Sequence, residues 1–266
     1  MQLFDLKQKW LTRGVDLAEL NEIFMNVLNC EFGALLVDRS LDEVTVKKID
    51  KCVTRFLKGE PVNKIFNKAY FFGRDFYVDR KVLSPRADTE NLVAEAVKVT
   101  SKDDKLLDLC TGTGAIGITL NLETGAKVTL ADISRHALKL AKKNAVTLKA
   151  DVEIVRTDMF NAISGKYNII CCNPPYIALD EYNALDKSVK KFDPKLALVG
   201  GRDGLDFYRI LAEQAKSHLA QGGSIFLEIG HMQAPAVTEI FQKQGYTGIN
   251  KIKDLAGRDR VIIIKE

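Results

Sequence analysis

Four consecutive residues, Asn173-Pro174-Pro175-Tyr176, stand directly behind the apolar run Tyr167-Asn168-Ile169-Ile170-Cys171-Cys172. Neither proline has an N–H to give to a sheet ladder, and each holds the residue before it extended, so a strand reaching this point must stop. The stop frees two acceptors, the Asn173 side-chain oxygen and the Pro174 carbonyl, each able to take one N–H of a planar –NH₂ group. The chemistry that suits such a pair is alkylation of an amide or amino nitrogen. Such a nitrogen is a poor nucleophile, its lone pair being tied into the adjoining π-system as in a peptide bond. Gripping both N–H groups turns the lone pair toward an electrophile, and positioning of this kind is worth several powers of ten in rate without a general base. Pro175 and Tyr176 would stack on the flat acceptor group. The plainer alternative is a strand-ending turn with Tyr176 as a core aromatic, since Asn-Pro is common at turns.

Upstream, carboxylates recur where strands end. Leu106-Leu107-Asp108-Leu109 runs into Cys110-Thr111-Gly112-Thr113-Gly114 and then Ala115-Ile116-Gly117. Gly112 to Gly117 matches the dinucleotide fingerprint, a weak signal by itself. Asp108 would repel a pyrophosphate, and Cys110 stands where a leading glycine would be, so NAD is disfavoured. A carboxylate beside a glycine loop instead suits a cofactor with a cationic amino-acid tail, as S-adenosylmethionine has, with Gly112 and Gly114 allowing close backbone approach. The next strand ends in Asp132, at the distance where a carboxylate meets ribose hydroxyls, and an acceptor-only side chain can take two O–H bonds at once. The strand after it leads to Arg156-Thr157-Asp158-Met159-Phe160, with Asp158 as an acceptor for an adenine amino group and Met159 as an apolar surface. Asp132 and Asp158 could simply cap the helices behind them. Their place at consecutive strand ends favours the ligand, because ligands of such sheets sit outside the carboxyl ends of the strands.

Holding these residues together requires a sheet, and the pattern supplies one. Short apolar runs at 105–109, 127–131, 152–155, 167–172, 223–228 and 261–265 alternate with amphipathic stretches at 115–122, 134–148, 205–219 and 234–244. That alternation predicts a doubly wound, mostly parallel α/β sheet. Ahead of it, Asp16 with Glu19 and Ser40 with Glu43 read as capping boxes before apolar stripes, so the first part is helical. A hairpin is expected around Gly73-Arg74, and the domain boundary near residue 82, separating a helical domain at 1–82 from a catalytic domain at 83–266.

With 46% hydrophobic and 28% charged residues over 266 positions, the chain can bury a large core and a small one. The net charge of +4 is spread evenly, with 14 Lys/Arg against 12 Asp/Glu in residues 1–82 and 25 against 23 beyond. No basic stripe for phosphates emerges, so direct nucleic-acid binding is not expected. No run approaches a membrane span or a signal peptide, and five cysteines without a C-x-x-C pair suit a reducing compartment, so a cytoplasmic, membrane-free protein is expected. Three histidines outside any ligand spacing leave no metal site in prospect.

Taken together, Val82-Leu83-Ser84-Pro85-Arg86-Ala87-Asp88-Thr89-Glu90, Asn173-Pro174-Pro175-Tyr176-Ile177, Asp193-Pro194-Lys195-Leu196-Ala197-Leu198, Gly200-Gly201-Arg202-Asp203-Gly204, Leu227-Glu228-Ile229-Gly230 and Ala256-Gly257-Arg258-Asp259-Arg260 resemble the peptide chain release factor N(5)-glutamine methyltransferase family, HemK/PrmC. The resemblance implies a seven-stranded class I, Rossmann-like methyltransferase sheet with a small helical N-terminal domain. It implies methyl transfer from S-adenosyl-L-methionine, leaving S-adenosyl-L-homocysteine, to the glutamine of the Gly-Gly-Gln loop of a release factor, the protein partner. It assigns catalysis to Asn173, Pro174, Pro175 and Tyr176, the glycine loop to Cys110, Thr111, Gly112, Thr113 and Gly114, and the ribose carboxylate to Asp132. With Asp108, Asp158 and Met159 from the strand-end reading, and with Asn173 itself, these make the expected cofactor set. Four positions depart from the family pattern: Cys110 replaces a glycine, Ala87 a proline, Ser84 an aliphatic residue, and Asp193-Pro194 the usual Glu-Pro. Glutamine methylation of a ribosomal protein is the alternative, followed by methylation of an exocyclic amino group in nucleic acid. Arg86 could orient substrate or pair with Asp88 or Glu90, and Phe72 could cover the cofactor or fill the hairpin's apolar face.

Overall fold

Apolar residues at helical spacing build the first part of the chain. In this computed structural model, which describes residues 1–265, they form α1 (Leu3–Leu11), α2 (Leu17–Leu28), α3 (Glu43–Leu57) and the short α4 (Val62–Phe66). Leu6, Trp10, Leu20, Phe24, Ile49 and Val53 are buried together at their centre. Asp16 caps α2 as expected, its Oδ1 accepting from the Ala18 N–H at 2.7 Å. The second expected cap is displaced. α3 starts at Glu43, and Asp42 rather than Ser40 accepts from the Thr45 N–H at 2.8 Å and the Thr45 hydroxyl at 3.0 Å. Ser40 is taken up by a bridge to Gln2, which removes it from competition.

The chain divides into two units, Met1–Lys68 and Ala69–Glu266, so the boundary falls earlier than the expected residue 82. The reason is the hairpin of β1 (Lys68–Phe71) and β2 (Arg74–Tyr77), whose Phe71 and Phe76 rings meet edge to face at 5.9 Å. Both rings are buried with Leu92, Val93, Ile118 and Phe226 of the second unit, and Asn144 exchanges hydrogen bonds with the Tyr77 backbone at 2.8 and 3.1 Å. The turn itself is Phe72-Gly73, one residue before the expected Gly73-Arg74. Both residues are left-handed (φ 46° and 79°), the requirement of a two-residue turn matched to strand twist. Glu90 steadies it by accepting from the Phe72 N–H at 2.9 Å.

Beyond the hairpin run α5 (Ala87–Val97), β3 (Lys105–Leu109), α6 (Ala115–Thr124), β4 (Lys127–Asp132), α7 (Arg135–Leu148), β5 (Val152–Arg156), β6 (Tyr167–Cys172), α8 (Leu179–Ala184), α9 (Lys187–Phe192), α10 (Asp206–Gln214), β7 (Leu219–Glu228), α11 (Ala234–Lys243), β8 (Gly248–Lys253) and β9 (Asp259–Lys265). The sheet order is β5-β4-β3-β6-β7-β9-β8, seven strands with only β9 running against its neighbours. Apolar side chains fill both faces, one core around Leu107, Ile170, Tyr208 and Leu227, the other around Leu106, Ile118, Cys171 and Phe226. Six strands follow the apolar runs, whereas β8 is too polar to announce itself. From β3 the chain winds outward through β4 to β5 and then returns to β6 on the other side of β3, so the strand order reverses between β3 and β6. Parallel pairing sets Leu109 opposite both Ala131 and Cys172, and the segments leaving β3, β4 and β6 emerge at one edge.

The displaced cap makes a direct test of how α3 begins. Asp42→Ala is expected to lower unfolding stability by about 0.5–2 kcal/mol, whereas Ser40→Ala, at a position with no cap bond, stays within about 0.5 kcal/mol. Urea titrations of both variants decide it, and a larger loss at Ser40 would show that the helix starts there.

Candidate active site

At the reversal point the loop after β3 turns on a buried carboxylate. Asp108 is 0% exposed, and its Oδ2 accepts from the Thr111 hydroxyl at 2.5 Å and the Gly117 N–H at 2.9 Å. These bonds tie the loop's start and the first turn of α6 to one group. Its Oδ1 has no partner. Burial pushes the Asp108 carboxyl up to about 7, against the pull of the two donors. The loop between is drawn tight. Cys110 is left-handed at φ 56°, a conformation easiest for glycine, and the Thr111 N–H reaches the Ala131 carbonyl at 3.0 Å. The Thr113 carbonyl accepts from Asn144 at 2.9 Å, and Gly114 is the N-cap of α6.

Asp132 at the end of β4 holds the other side of this loop. Its Oδ2 accepts from the Gly112 N–H at 2.9 Å and its Oδ1 from the Ser134 N–H at 2.8 Å. The helix cap itself is Ser134, whose Oγ accepts from the Ala137 N–H at 3.2 Å, so Asp132 does not cap α7. Each oxygen keeps a lone pair, and the residue faces an open cleft. Its carboxyl is raised by burial, against backbone N–H donors. Cys110, Gly112, Asp158, Met159, Asn173 and Pro175 line the same cleft. Asp108, Thr111, Thr113, Gly114, Pro174 and Tyr176 do not; the first four shape the loop from behind.

Behind β6, Asn173 is oriented from within the protein. Its Nδ2 donates to Thr89 Oγ1 at 3.2 Å, and Thr89 donates in turn to Glu228 Oε2 at 2.5 Å. Burial raises the Glu228 carboxyl to about 7. The loop after α9 braces the prolines. The Ile177 N–H donates to Leu198 O and the Gly200 N–H to Ile177 O, and a Cβ on Gly200 would collide with the Pro175 carbonyl. Tyr176 packs against the core around Tyr208 and is held by Gln233, which donates to its carbonyl at 2.8 Å. Burial pushes its phenol up to about 12. Of the two residues expected to stack on the acceptor, Pro175 lines the cleft and Tyr176 does not.

Arg86 pairs with Asp193 at 2.8 Å, neither of its expected partners; Asp88 pairs with Arg260 and Glu90 with the Phe72 N–H. Phe72 sits in the hairpin turn against the buried cluster rather than on the cleft. Residues that reading by chemistry overlooked complete the wall: Val82, Leu83, Ile133, Pro194, Leu196 and Phe207. Their signal was the apolar character of segments flanking Pro85 and Pro194. Among the described residues no three His, Cys, Asp or Glu side chains gather as metal ligands. The Cys171 and Cys172 thiols are held protonated by burial, the latter also by its hydrogen bond with Cys110, and protonated thiols are poor nucleophiles.

A mostly parallel sheet with its reversal point flanked by a glycine loop and by Asn-Pro-Pro-Tyr is the architecture of a class I methyltransferase, and residues 87–197 match the methyltransferase small domain. A methyltransferase from Pyrococcus furiosus of known crystal structure shares the fold, with a TM-score of 0.59 at 19% identity over 81% of this chain and 98% of that one. The sequence is 38% identical over 233 residues to a release factor glutamine methyltransferase of Lactococcus lactis, covering 86% of each chain. It is 39% identical over 250 residues to the release factor glutamine methyltransferase of Francisella tularensis, covering 91% of this chain and 88% of that one. The chain belongs to the release factor glutamine methyltransferase family.

The residues present fit S-adenosylmethionine. Asp132 offers free acceptor capacity, the glycine loop lines the cleft through Cys110 and Gly112, and Met159, Ile133 and Phe207 give it apolar surface. The buried Asp108 also predicts a pH signature. A carboxyl raised to about 7 contributes stability that is complete below its unfolded value near 3.9 and is lost as pH rises through about 7. Asp108→Asn can accept the same two bonds without ever charging. It is expected to lose less stability than wild type between about pH 5 and pH 8, by urea midpoint. Parallel losses in both proteins would show that Asp108 is not titrating there.

Proposed function

We propose that this chain transfers a methyl group from S-adenosylmethionine to the side-chain nitrogen of the glutamine in a release factor's Gly-Gly-Gln loop. The observation that carries the reading is Asn173, whose nitrogen is occupied by Thr89, leaving Oδ1 as what it offers the cleft. When bound, S-adenosylmethionine supplies an electrophilic methyl. Asn173 Oδ1 and the Pro174 carbonyl, which accepts no hydrogen bond among the described residues, take the two N–H groups of the acceptor amide. That grip weakens the amide's conjugation in the transition state and needs no base to act first. Asp132 holds the ribose hydroxyls, Asp108, Cys110, Thr111, Gly112, Thr113 and Gly114 form or shape the cradle of the amino-acid tail, and Asp158 and Met159 receive the adenine. Pro175 packs on the flat face of the acceptor.

Specificity for a whole protein needs contact area away from one glutamine. The helical unit carries no chemistry of its own and is the natural second contact for the release factor. The even charge balance supports a protein rather than a nucleic acid as substrate. A substrate that works in translation implies a cytoplasmic site of action.

Three substitutions separate the roles. Asp132→Ala is expected to weaken S-adenosylmethionine binding by about 1.5–3 kcal/mol, the range for hydrogen bonds involving a charged group. Asn173→Ala should lower kcat by orders of magnitude with a much smaller change in cofactor Kd. Tyr176→Phe should be far milder than Tyr176→Ala. Calorimetry with steady-state methylation of a purified release factor reads all three, and normal turnover by Asn173→Ala would end this account of catalysis.

Deleting residues 1–68 tests the recognition role. A chain beginning at Ala69 retains the hairpin and both sheet cores. It is expected to bind S-adenosylmethionine normally, to lose most methylation of the intact release factor, and to match the full chain's weak activity on a short Gly-Gly-Gln peptide. Equal activity of the two chains on the intact factor would remove the role from the helical unit.

A further inference from the structure

Thr89 has a single hydroxyl proton, and its neighbours compete for it. Glu228, 2% exposed at the end of β7, can only accept when ionised. Thr89 therefore donates to Glu228 Oε2, at 2.5 Å, and has only lone pairs left for Asn173, whose Nδ2 lies 3.2 Å away. We infer that Thr89 and Glu228 are positioning residues that fix the polarity of the Asn173 amide: the chain of donors from Asn173 through Thr89 ends on a carboxylate and can run in only one direction. The inference rests on the reading of Asn173 as the grip on the acceptor amide.

Polarity matters because the two ends of an asparagine amide have nearly the same shape and opposite hydrogen-bonding character. With nitrogen inward, Asn173 meets the acceptor –NH₂ with an oxygen. With the amide reversed, it would meet that –NH₂ with another donor, and the grip would fail. A glutamine at 228 would allow the reversal. Its own –NH₂ could donate to Thr89, Thr89 could then donate to Asn173 Oδ1, and the amide would turn over.

The fold spends several contacts on this arrangement. Thr89 is in the first turn of α5, next to Asp88, which pairs with Arg260 of β9 at 3.2 Å. Arg260 also donates to the Ile229 carbonyl at 3.4 Å, one residue past Glu228, and pairs with Asp254 at 3.4 Å. Tyr208 of α10 donates to the Glu228 backbone carbonyl at 2.8 Å. The groups facing the Glu228 carboxyl are thus Thr89 and Asp88 from α5, Arg260 from β9, Asn173 behind β6, and the phenols of Tyr176 and Tyr208, both raised and neutral near pH 7. Burial and Asp88 favour the protonated acid, whereas Thr89, Arg260 and Asn173 favour the anion, and the balance lies at about 7. A protonated Glu228 can donate and so loses its hold on direction, which makes kcat rise with pH through that value.

The test uses Glu228→Gln, Thr89→Val and Thr89→Ser in the full chain. Glu228→Gln and Thr89→Val are expected to lower kcat about tenfold or more with cofactor Kd within about twofold of wild type, and Thr89→Ser to keep most of kcat. The rise in kcat through pH 7 should be present in wild type and absent in Glu228→Gln, a difference that a purely structural role would not produce. A second readout uses no substrate: the ¹⁵N side-chain amide signal of Asn173, assigned by its loss in Asn173→Asp, should exchange slowly in wild type and quickly in Thr89→Val. Wild-type kcat and pH profile in Glu228→Gln, or unchanged Asn173 exchange in Thr89→Val, would overturn the inference. Thr89→Val leaves the carboxylate in place and carries the test if Glu228→Gln does not fold. Failure of wild type to methylate a release factor would sink the proposed substrate alone, since the amide exchange still reads the direction of the chain.

Discussion

The parallel pairing of β3 with β6, which sets Leu109 opposite Cys172, is the constraint on which the rest depends. It places two chain exits side by side, one leading into the glycine loop and the other into Asn173. Because the strand order reverses there, no crossover helix covers the gap, and a cleft opens by topology before any side chain is chosen. β4 then adds Asp132 on the loop's far side, through the pairing of Leu109 with Ala131. The later elements are supports for this arrangement. β7 extends the sheet past β6 and ends in Glu228, and β9 brings Arg260 to the start of α5. Residues 139 positions apart, Thr89 and Glu228, meet only because the sheet is complete.

Rigidity at the cleft comes from backbone geometry as much as from packing. Cys110 pays the usual cost of a left-handed non-glycine residue, about 1–2 kcal/mol, and the bonds to Asp108, Asp132 and Ala131 around it hold the loop in that shape. Met159, after β5, is left-handed as well, and both residues line the cleft. On the other side, Gly200 and Gly204 approach the carbonyls of Pro175 and Tyr176 more closely than any Cβ would permit. The two prolines remove their own donors, so their carbonyl environment has to be arranged by a neighbouring loop, and glycines allow that loop near enough.

Much of this was legible in the sequence, for reasons that differ by element. Buried parallel strands are continuous apolar runs, and β3 and β6 fall on the residues that those runs indicate. β8 has only two apolar side chains, Ile249 and Ile252, three residues apart and so out of step with a strand's alternation, and it lies partly exposed at the sheet edge; its strand character comes from pairing with β9 rather than from its composition. α5 escaped because no side chain caps it and its signal is weak, yet its first turn supplies Thr89. The acids at strand ends were readable as a set, but not which of them faces the cleft. Asp108 and Asp132 end or nearly end adjacent parallel strands, and only the fold shows that one is wholly enclosed by Thr111 and Gly117 while the other opens outward. The Arg86 pairing was missed because local spacing suggests partners two and four residues away, whereas Asp193 is 107 residues distant.

Two carboxyls with similarly raised affinities for a proton, Asp108 and Glu228, serve one purpose by opposite routes. Both are buried, both accept a threonine hydroxyl at 2.5 Å, and both are pushed to about 7 chiefly by burial. Asp108 gathers donors from one short stretch of chain, Thr111 and Gly117, so its work is local, bending a loop around itself. Glu228 receives its donor from a distant helix and passes the direction on to Asn173, so its work is long-range. Replacing either by an apolar residue of similar volume would remove a desolvation cost, the usual outcome when buried ionic groups are exchanged for hydrophobes. What would be lost is directionality, because an acceptor-only group is the one side chain that dictates where a hydroxyl proton must point. On the proposed reading, in which Asn173 grips a weak nucleophile, that direction is what the ionised forms of these two carboxyls supply inside cores otherwise filled largely by leucine, isoleucine and aromatic rings.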